Sequence, residues 1–346
     1  SCSLVGSEMC IRDSIYMPLA THGTSVYVPD ACTDAVEFMQ TVIPTDSTLK
    51  ADNHIFPLKT LGCLMGFAGF FVFVTGVALL LVQYEPFKGV SADRDATMRL
   101  AANDKKGKIW LTGCLLVNTV FPLLSALVLF HFKVDKVVDD FFMQGMPLFY
   151  GVWGTVNAIF VILTTIIWYN CYAKKNGISL DSIDMRTSVA QIGKTIATAL
   201  VVTGMAFVLL FSVKFFFNTD FRFLYWAVRP FNARRMLEAM KLLPFFTVAY
   251  VTASIFINCL NFNTSFGKTE RKNICLLAFL NILPPFLLAV AGYGYFFITG
   301  VNGFYGTNNQ ISDWMVAPLV PMLVTPFVTR AIYKKTRNPY LGGIIN

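Results

Sequence analysis

The side chain best suited to move a proton in this chain is His22, which stands with Gly23 and Thr24 in a polar stretch. Imidazole titrates near neutrality, so a histidine on a loop can act as a general base and return the proton to a leaving group. No G-x-S-x-G turn, the usual seat of a serine nucleophile, occurs in the chain. The other two histidines, His54 and His131, fall ahead of the first apolar run and at the end of the second. Of eight cysteines, Cys63, Cys114, Cys259 and Cys275 lie in or at the edge of apolar runs, Cys171 closes one, and no C-x-x-C pair exists. That placement points to neither a disulfide framework nor a zinc site, and no metal or cofactor is expected. Asn118, Asn157, His131 and Asn258 are scattered over different apolar runs, and no Asp or Glu lies deep in any of them. Hydrogen bonds between helices are therefore expected of these residues rather than a proton relay.

Seven apolar runs carry these residues, near 61–82, 109–132, 147–172, 195–213, 242–260, 274–300 and 314–328. A helix rising about 1.5 Å per residue crosses a hydrocarbon core of about 30 Å in roughly 20 residues, a length most of the runs reach. The fold class predicted is an all-α polytopic membrane protein. The last run is short and holds Pro318, Pro321 and Pro326, which predicts a broken or re-entrant helix. Composition agrees: 55% of residues are hydrophobic and 14% charged, against about 25% charged in soluble domains. On such a chain a net charge of +8 reads as loop Lys and Arg facing anionic lipid, with the bilayer as partner and no nucleic acid.

Finer features give further expectations. Apolar residues at 31, 35, 38, 39 and 42 follow the stripe of an amphipathic helix, with Asp30 or Thr33 as its cap. Gly62-x-x-x-Gly66 marks a close helix contact. Pro284-Pro285 predicts a kink, and Trp110, Trp168, Tyr169, Tyr172 and Trp314 sit where an aromatic belt would place them. Residues 214–241 are basic and aromatic-rich, which predicts an interfacial helix or partial re-entry.

His22-Gly23-Thr24, the irregular chain after it and a helix ending near Val36-Glu37-Phe38-Met39 resemble the close of an α/β-hydrolase domain, in which the histidine is the last triad member. Thr219-Asp220-Phe221-Arg222-Phe223, Trp226-Ala227-Val228-Arg229-Pro230 and Lys335-Thr336-Arg337-Asn338-Pro339-Tyr340-Leu341-Gly342 resemble the membrane domain that follows the hydrolase domain in a group of bacterial proteins described as peptidases or esterases. The resemblance covers most of residues 15–346. It implies that His22 is catalytic and that the substrate, a peptide or small molecule, is met through a hydrolase domain. It departs from the pattern in lacking the nucleophile, so this stretch alone is not expected to be active.

Leu4 to Asp13, reading LVGSEMCIRD, resembles the translation of a sequencing-library adapter. Four parts are thus expected: 1–14 derived from that adapter, 15–45 the last loop and helix of a truncated α/β-hydrolase domain, 46–60 a linker and 61–346 the transmembrane domain. With seven spans, 17 Lys and Arg fall on one side and 10 on the other. The positive-inside rule then puts the C-terminus in the cytoplasm of a bacterial plasma membrane and the His22 segment outside. Three function classes remain open: the membrane part of a serine hydrolase, a transporter or permease, and a membrane protein without chemistry of its own.

Overall fold

The computed structural model describes residues 27–43, 48–92, 104–223, 226–262, 269–300 and 311–346. The adapter-like segment and His22 lie outside the described residues. The chain divides into two compact units, Ser1–Ala68 with Thr219–Val228, and Gly69–Asn218 with Arg229–Asn346.

In the first unit, α1 (Pro29–Val42) begins one residue earlier than its expected cap. Its N-cap is Val28, which supplies no side-chain hydrogen bond. Pro29 takes the first helical position, where its missing N–H costs nothing and its fixed φ suits the helix. Asp30 falls in the first turn, and Thr33 is inside the helix, bonded to His54 Nε2 at 2.8 Å. No residue of α1 is buried, and the stripe residues Phe38, Met39 and Val42 are exposed. The start of α2 (Phe56–Leu81) belongs to this unit, as does a hairpin of β1 (Phe221–Phe223) and β2 (Trp226–Val228). The strands pair antiparallel, Phe221 opposite Val228 and Phe223 opposite Trp226, and the last two rings stack 6.4 Å apart. This replaces the interfacial helix or re-entry expected within 214–241; aromatic residues that alternate across a short ladder suit a strand as well as a helix. The hairpin also explains Gly66. A Cβ there would collide with the Phe221 ring, whereas Gly62 has nothing near it, so the glycine admits a ring and not a second helix.

The second unit is helical: α3 (Lys105–His131), α4 (Gly145–Trp168), α5 (Val189–Phe217), α6 (Ala233–Ile255), α7 (Glu270–Thr299), α8 (Ile311–Val316), α9 (Leu319–Thr336) and α10 (Pro339–Ile345). Five of these start on a residue whose side chain caps a backbone N–H, namely Asp104, Ser188, Asn232, Thr269 and Asn338. Single π-type turns, Tyr169–Ala173 and Phe256–Leu260, extend α4 and α6. Helix α4 packs on α3 and α6, α7 on α9, and α10 on α5, α6 and α9.

Seven helical stretches are long and apolar enough to cross a membrane: Phe56–Leu81, Lys105–His131, Gly145–Asn176, Val189–Phe217, Ala233–Leu260, Glu270–Thr299 and Trp314–Thr336. These match the seven expected runs and fit an integral membrane protein. The last is the one expected to be short. It breaks between α8 and α9, but α9 continues past 328 through Arg330 and Lys334, giving 23 residues in all. Helix α7 runs uninterrupted through Pro284 and Pro285, both buried. The aromatic belt needs correction. Trp168 and Tyr172 are buried among Leu111, Ile178, Ile183 and Leu260, inside the bundle rather than at a lipid interface.

Candidate functional site

His22, the one residue to which the sequence assigns catalysis, lies outside the described residues. The second histidine, His54, bonds Thr33 and meets Phe56 edge-on at 5.3 Å, and His131 is an exposed residue in the last turn of α3. Among the described residues no three His, Cys, Asp or Glu side chains gather as a metal site. What the bundle does assemble is two polar constellations, both within the second unit.

The first is a cavity of about 300 Å³ between α3, α4, α6, α7 and the α8–α9 break. Asn118 is the central residue of α3 and Asn157 lies at the middle of α4, so the cavity sits at half the height of the spans. Each asparagine bonds across the helix pair. Asn118 Nδ2 donates to Thr164 Oγ1 at 2.9 Å, and Ser125 Oγ donates to Asn157 Oδ1 at 2.8 Å. The expected interhelical bonding is present, but the scattering is not: the two asparagines meet in one wall together with Asn281 and Tyr150. Proline explains the last two. Residue 318 has no N–H for the carbonyl of Trp314, which takes the Ala317 amide at 3.2 Å and has its second lone pair left over, and residue 326 has none for that of Met322. Tyr150 Oη donates to Trp314 O and Asn281 Nδ2 to Met322 O, each at 2.6 Å. Freed carbonyls in a bilayer require such partners, because no bulk water reaches them. The wall holds no Asp, Glu, Lys, Arg or His.

The second constellation lies at the ends of α9 and α10 and was missed in the sequence. Asp184, in the left-handed region at φ 59° and buried, accepts from Arg337 Nε at 2.9 Å, Arg337 Nη2 at 3.0 Å and Tyr333 Oη at 2.8 Å. Asn338 caps α10 by accepting from the Tyr340 and Leu341 amides, and its Nδ2 donates to Thr195 Oγ1 at 2.8 Å and Val90 O at 3.1 Å. Ser254 Oγ donates to Pro339 O, and Tyr340 Oη to Met185 O. A Cβ on Gly343 would strike the backbone of Val251, so glycine lets α10 lie against α6. The stretch 335–342 is therefore a clamp tying α5, α6, α9 and two loops. Its signal in the sequence was Asn-Pro after a basic turn, an N-cap followed by proline at the first helical position.

Arg330 stands beside this clamp. Counted with the C-terminal loop charges in the topology argument, it is instead buried at 3% exposure. Its Nε donates to Asn258 Oδ1 at 2.8 Å, Nη1 to Asn273 Oδ1 at 3.2 Å and Nη2 to Ile257 O at 2.9 Å, and the guanidinium lies 4.6 Å from the Phe262 ring centre. Asn258, in the π-type turn, is thus a ligand of a buried cation. Removing Arg330 from the loop count leaves the charge bias with the same sign. Glu238 is similarly buried near the start of α6, accepting from Met143 N at 3.0 Å, well short of the span's middle. At the mouth of α3, Asp104 accepts from Tyr172 Oη at 2.6 Å and Gly107 N at 2.7 Å. The Tyr172 hydrogen bond first, then the Gly107 amide, hold its carboxyl below the usual range.

Comparison with protein-family models, with curated proteins and with solved structures finds no match.

Proposed function

We propose that the chain is the membrane part of a serine hydrolase of the peptidase or esterase type, with His22 as general base and the second, helical unit as anchor. The observation that carries this reading is α1, an amphipathic helix with Phe38, Met39 and Val42 exposed and no residue buried. Such a stripe is the face of a helix that packs on a soluble body. The resemblance of the 22–39 and 335–342 stretches to hydrolase-linked membrane proteins supports it. The nucleophile and acid of the triad would stand in that soluble body, since this chain has no G-x-S-x-G.

The test is made on the chain joined to its hydrolase domain. With His22→Ala, covalent labelling by a fluorophosphonate disappears and turnover falls by several orders of magnitude, while His54→Ala and His131→Ala keep parental labelling. Parental labelling in His22→Ala sinks the reading. The orientation goes with it: cysteines placed at Gly23 and Asn308 react with an impermeant reagent in intact cells, and those at Lys106 and Lys335 react only after permeabilisation.

A second reading, a permease for a small molecule, is favoured by the mid-membrane cavity with its broken α8–α9 span. Saturable uptake of a solute into vesicles holding this chain alone, abolished by filling the cavity, would favour it over the anchor.

A further inference from the structure

We propose that the mid-membrane cavity binds a neutral, largely apolar molecule through a carbonyl or hydroxyl oxygen, with Tyr250, Thr252 and Asn157 as hydrogen-bond donors. The inference does not depend on the hydrolase reading.

The argument begins with what the wall leaves over. Trp153 Nε1 donates to Pro122 O at 3.0 Å, and Tyr150 and Asn281 satisfy the carbonyls that proline frees. Tyr250 and Thr252, on α6, and the Nδ2 of Asn157, on α4, line the same space and make no hydrogen bond with any described residue. In water such groups would be solvated. Thr252 is buried and Tyr250 and Asn157 are half-buried; at half the depth of a bilayer they stand away from bulk water, where polar groups in native proteins are nearly always paired. Asn118 Oδ1, in the same wall, is buried with no hydrogen-bond partner among the described residues. A cavity of about 300 Å³ thus holds three donors and one acceptor that the protein leaves unused, a set that a hydroxyl meets on both sides and a carbonyl on the donor side, in a space at the lower end of the range of small-molecule pockets, about 300–1,000 Å³.

The wall also says what does not bind. It has no ionisable Asp, Glu, Lys, Arg or His, so a charged ligand would lie unpaired in low dielectric at a cost the donors cannot offset. Phe246, Phe256 and Trp153 supply aromatic surface, and Phe246 stacks on the Tyr250 ring at 6.3 Å. An apolar body with one oxygen-bearing end fits that division. Such a molecule dissolves in the bilayer and reaches the site without crossing a polar barrier. The oxygen can come from the ester of a lipid or from a free small ketone or alcohol.

The test uses this chain in phosphatidylcholine nanodiscs with two diazirine probes, a monoacylglycerol and a medium-chain alkyl ketone. Saturable labelling of peptides bearing Tyr250 or Asn157 by the first probe assigns a lipid ester, and by the second a free small molecule. Tyr250→Phe and Thr252→Val each weaken the bound probe about three- to tenfold, the loss of one hydrogen bond. Both leave the unliganded unfolding temperature unchanged, because neither hydroxyl has a protein partner to lose. Ala253→Trp fills the space and abolishes labelling. The proposal is overturned if neither probe labels saturably, which leaves the cavity to water. Full labelling after Ala253→Trp, or affinity unaltered in both Tyr250→Phe and Thr252→Val, overturns it equally.

Discussion

Two parts of the helical unit use polar side chains in opposite ways. In the clamp, every named polar group is matched: Asp184 takes three hydrogen bonds, Asn338 makes four, and Ser254 and Tyr340 each reach a carbonyl. In the cavity, Tyr250, Thr252 and Asn157 Nδ2 line the wall and bond no described residue. Matched groups within a membrane protein are accounted for by the fold that they hold. Unmatched ones are accounted for by something the fold receives. Substitutions in the clamp should therefore be read in stability, and those in the cavity in binding.

The largest effect is expected where a buried charge loses its partner. Arg337→Ala leaves the Asp184 carboxylate enclosed without its cation, with the Tyr333 hydroxyl still bonded to it, and removal of one partner of a buried ion pair costs about 3–5 kcal/mol. Thermal unfolding in detergent should show a steep loss; a parental midpoint would mean that the clamp does not hold the helices. Asn338→Ala comes next. It removes the cap of α10 together with the bonds to Thr195 and Val90, and about 1–2 kcal/mol should go, nearly all of it regained by Asn338→Asp only if capping dominates over the two outward bonds. Partial recovery would apportion the two.

Acid provides a milder probe. The folded carboxyl of Asp104 titrates below the ordinary value of 3.8. Its contribution is present above that value and is lost as pH falls through the lowered folded one. Tyr172→Phe removes the chief cause of the lowering and brings the folded value closer to the unfolded one, so the acid-side loss in a pH series of unfolding temperatures should be smaller than in the parent and be complete at higher pH. An unshifted series would assign no role to that hydrogen bond. The smallest effect sharpens the comparison from the other side. Tyr250→Phe in the unliganded protein should change stability by less than about 0.5 kcal/mol. A loss comparable to that of Asn338→Ala would show that Tyr250 is a structural group like those of the clamp.

Legibility differed in the same two directions. The seven spans were readable because an apolar run long enough to cross a bilayer is a property of consecutive residues. The seventh run, near 314–328, stops just short of a charged residue, Arg330, which the helix carries inside. That arginine stays inside because Asn258, Asn273, Ile257 O and Phe262 come from elsewhere in the chain to meet it. Trp168 and Tyr172 lie near a run's end, where a lipid-facing belt is expected; which side of a helix faces the bundle depends on neighbours such as Leu111 and Leu260. Gly62 and Gly66 look alike in the sequence, and only the arrival of Phe221 at one of them distinguishes them.

The sequence by itself determined that the chain is helical, that seven stretches can cross a membrane and where the charged loops lie between them. These follow from local composition and from the length that a helix needs. The tertiary structure decided that Asn118, Asn157 and Asn281 share one cavity, that Tyr150 and Asn281 complete the carbonyls left by Pro318 and Pro326, and that Asp184 pairs with Arg337 across 153 residues. The physical reason is that a polar group in a bilayer interior must find its partner within the protein. That partner is chosen by how helices pack, which no window of neighbouring residues contains.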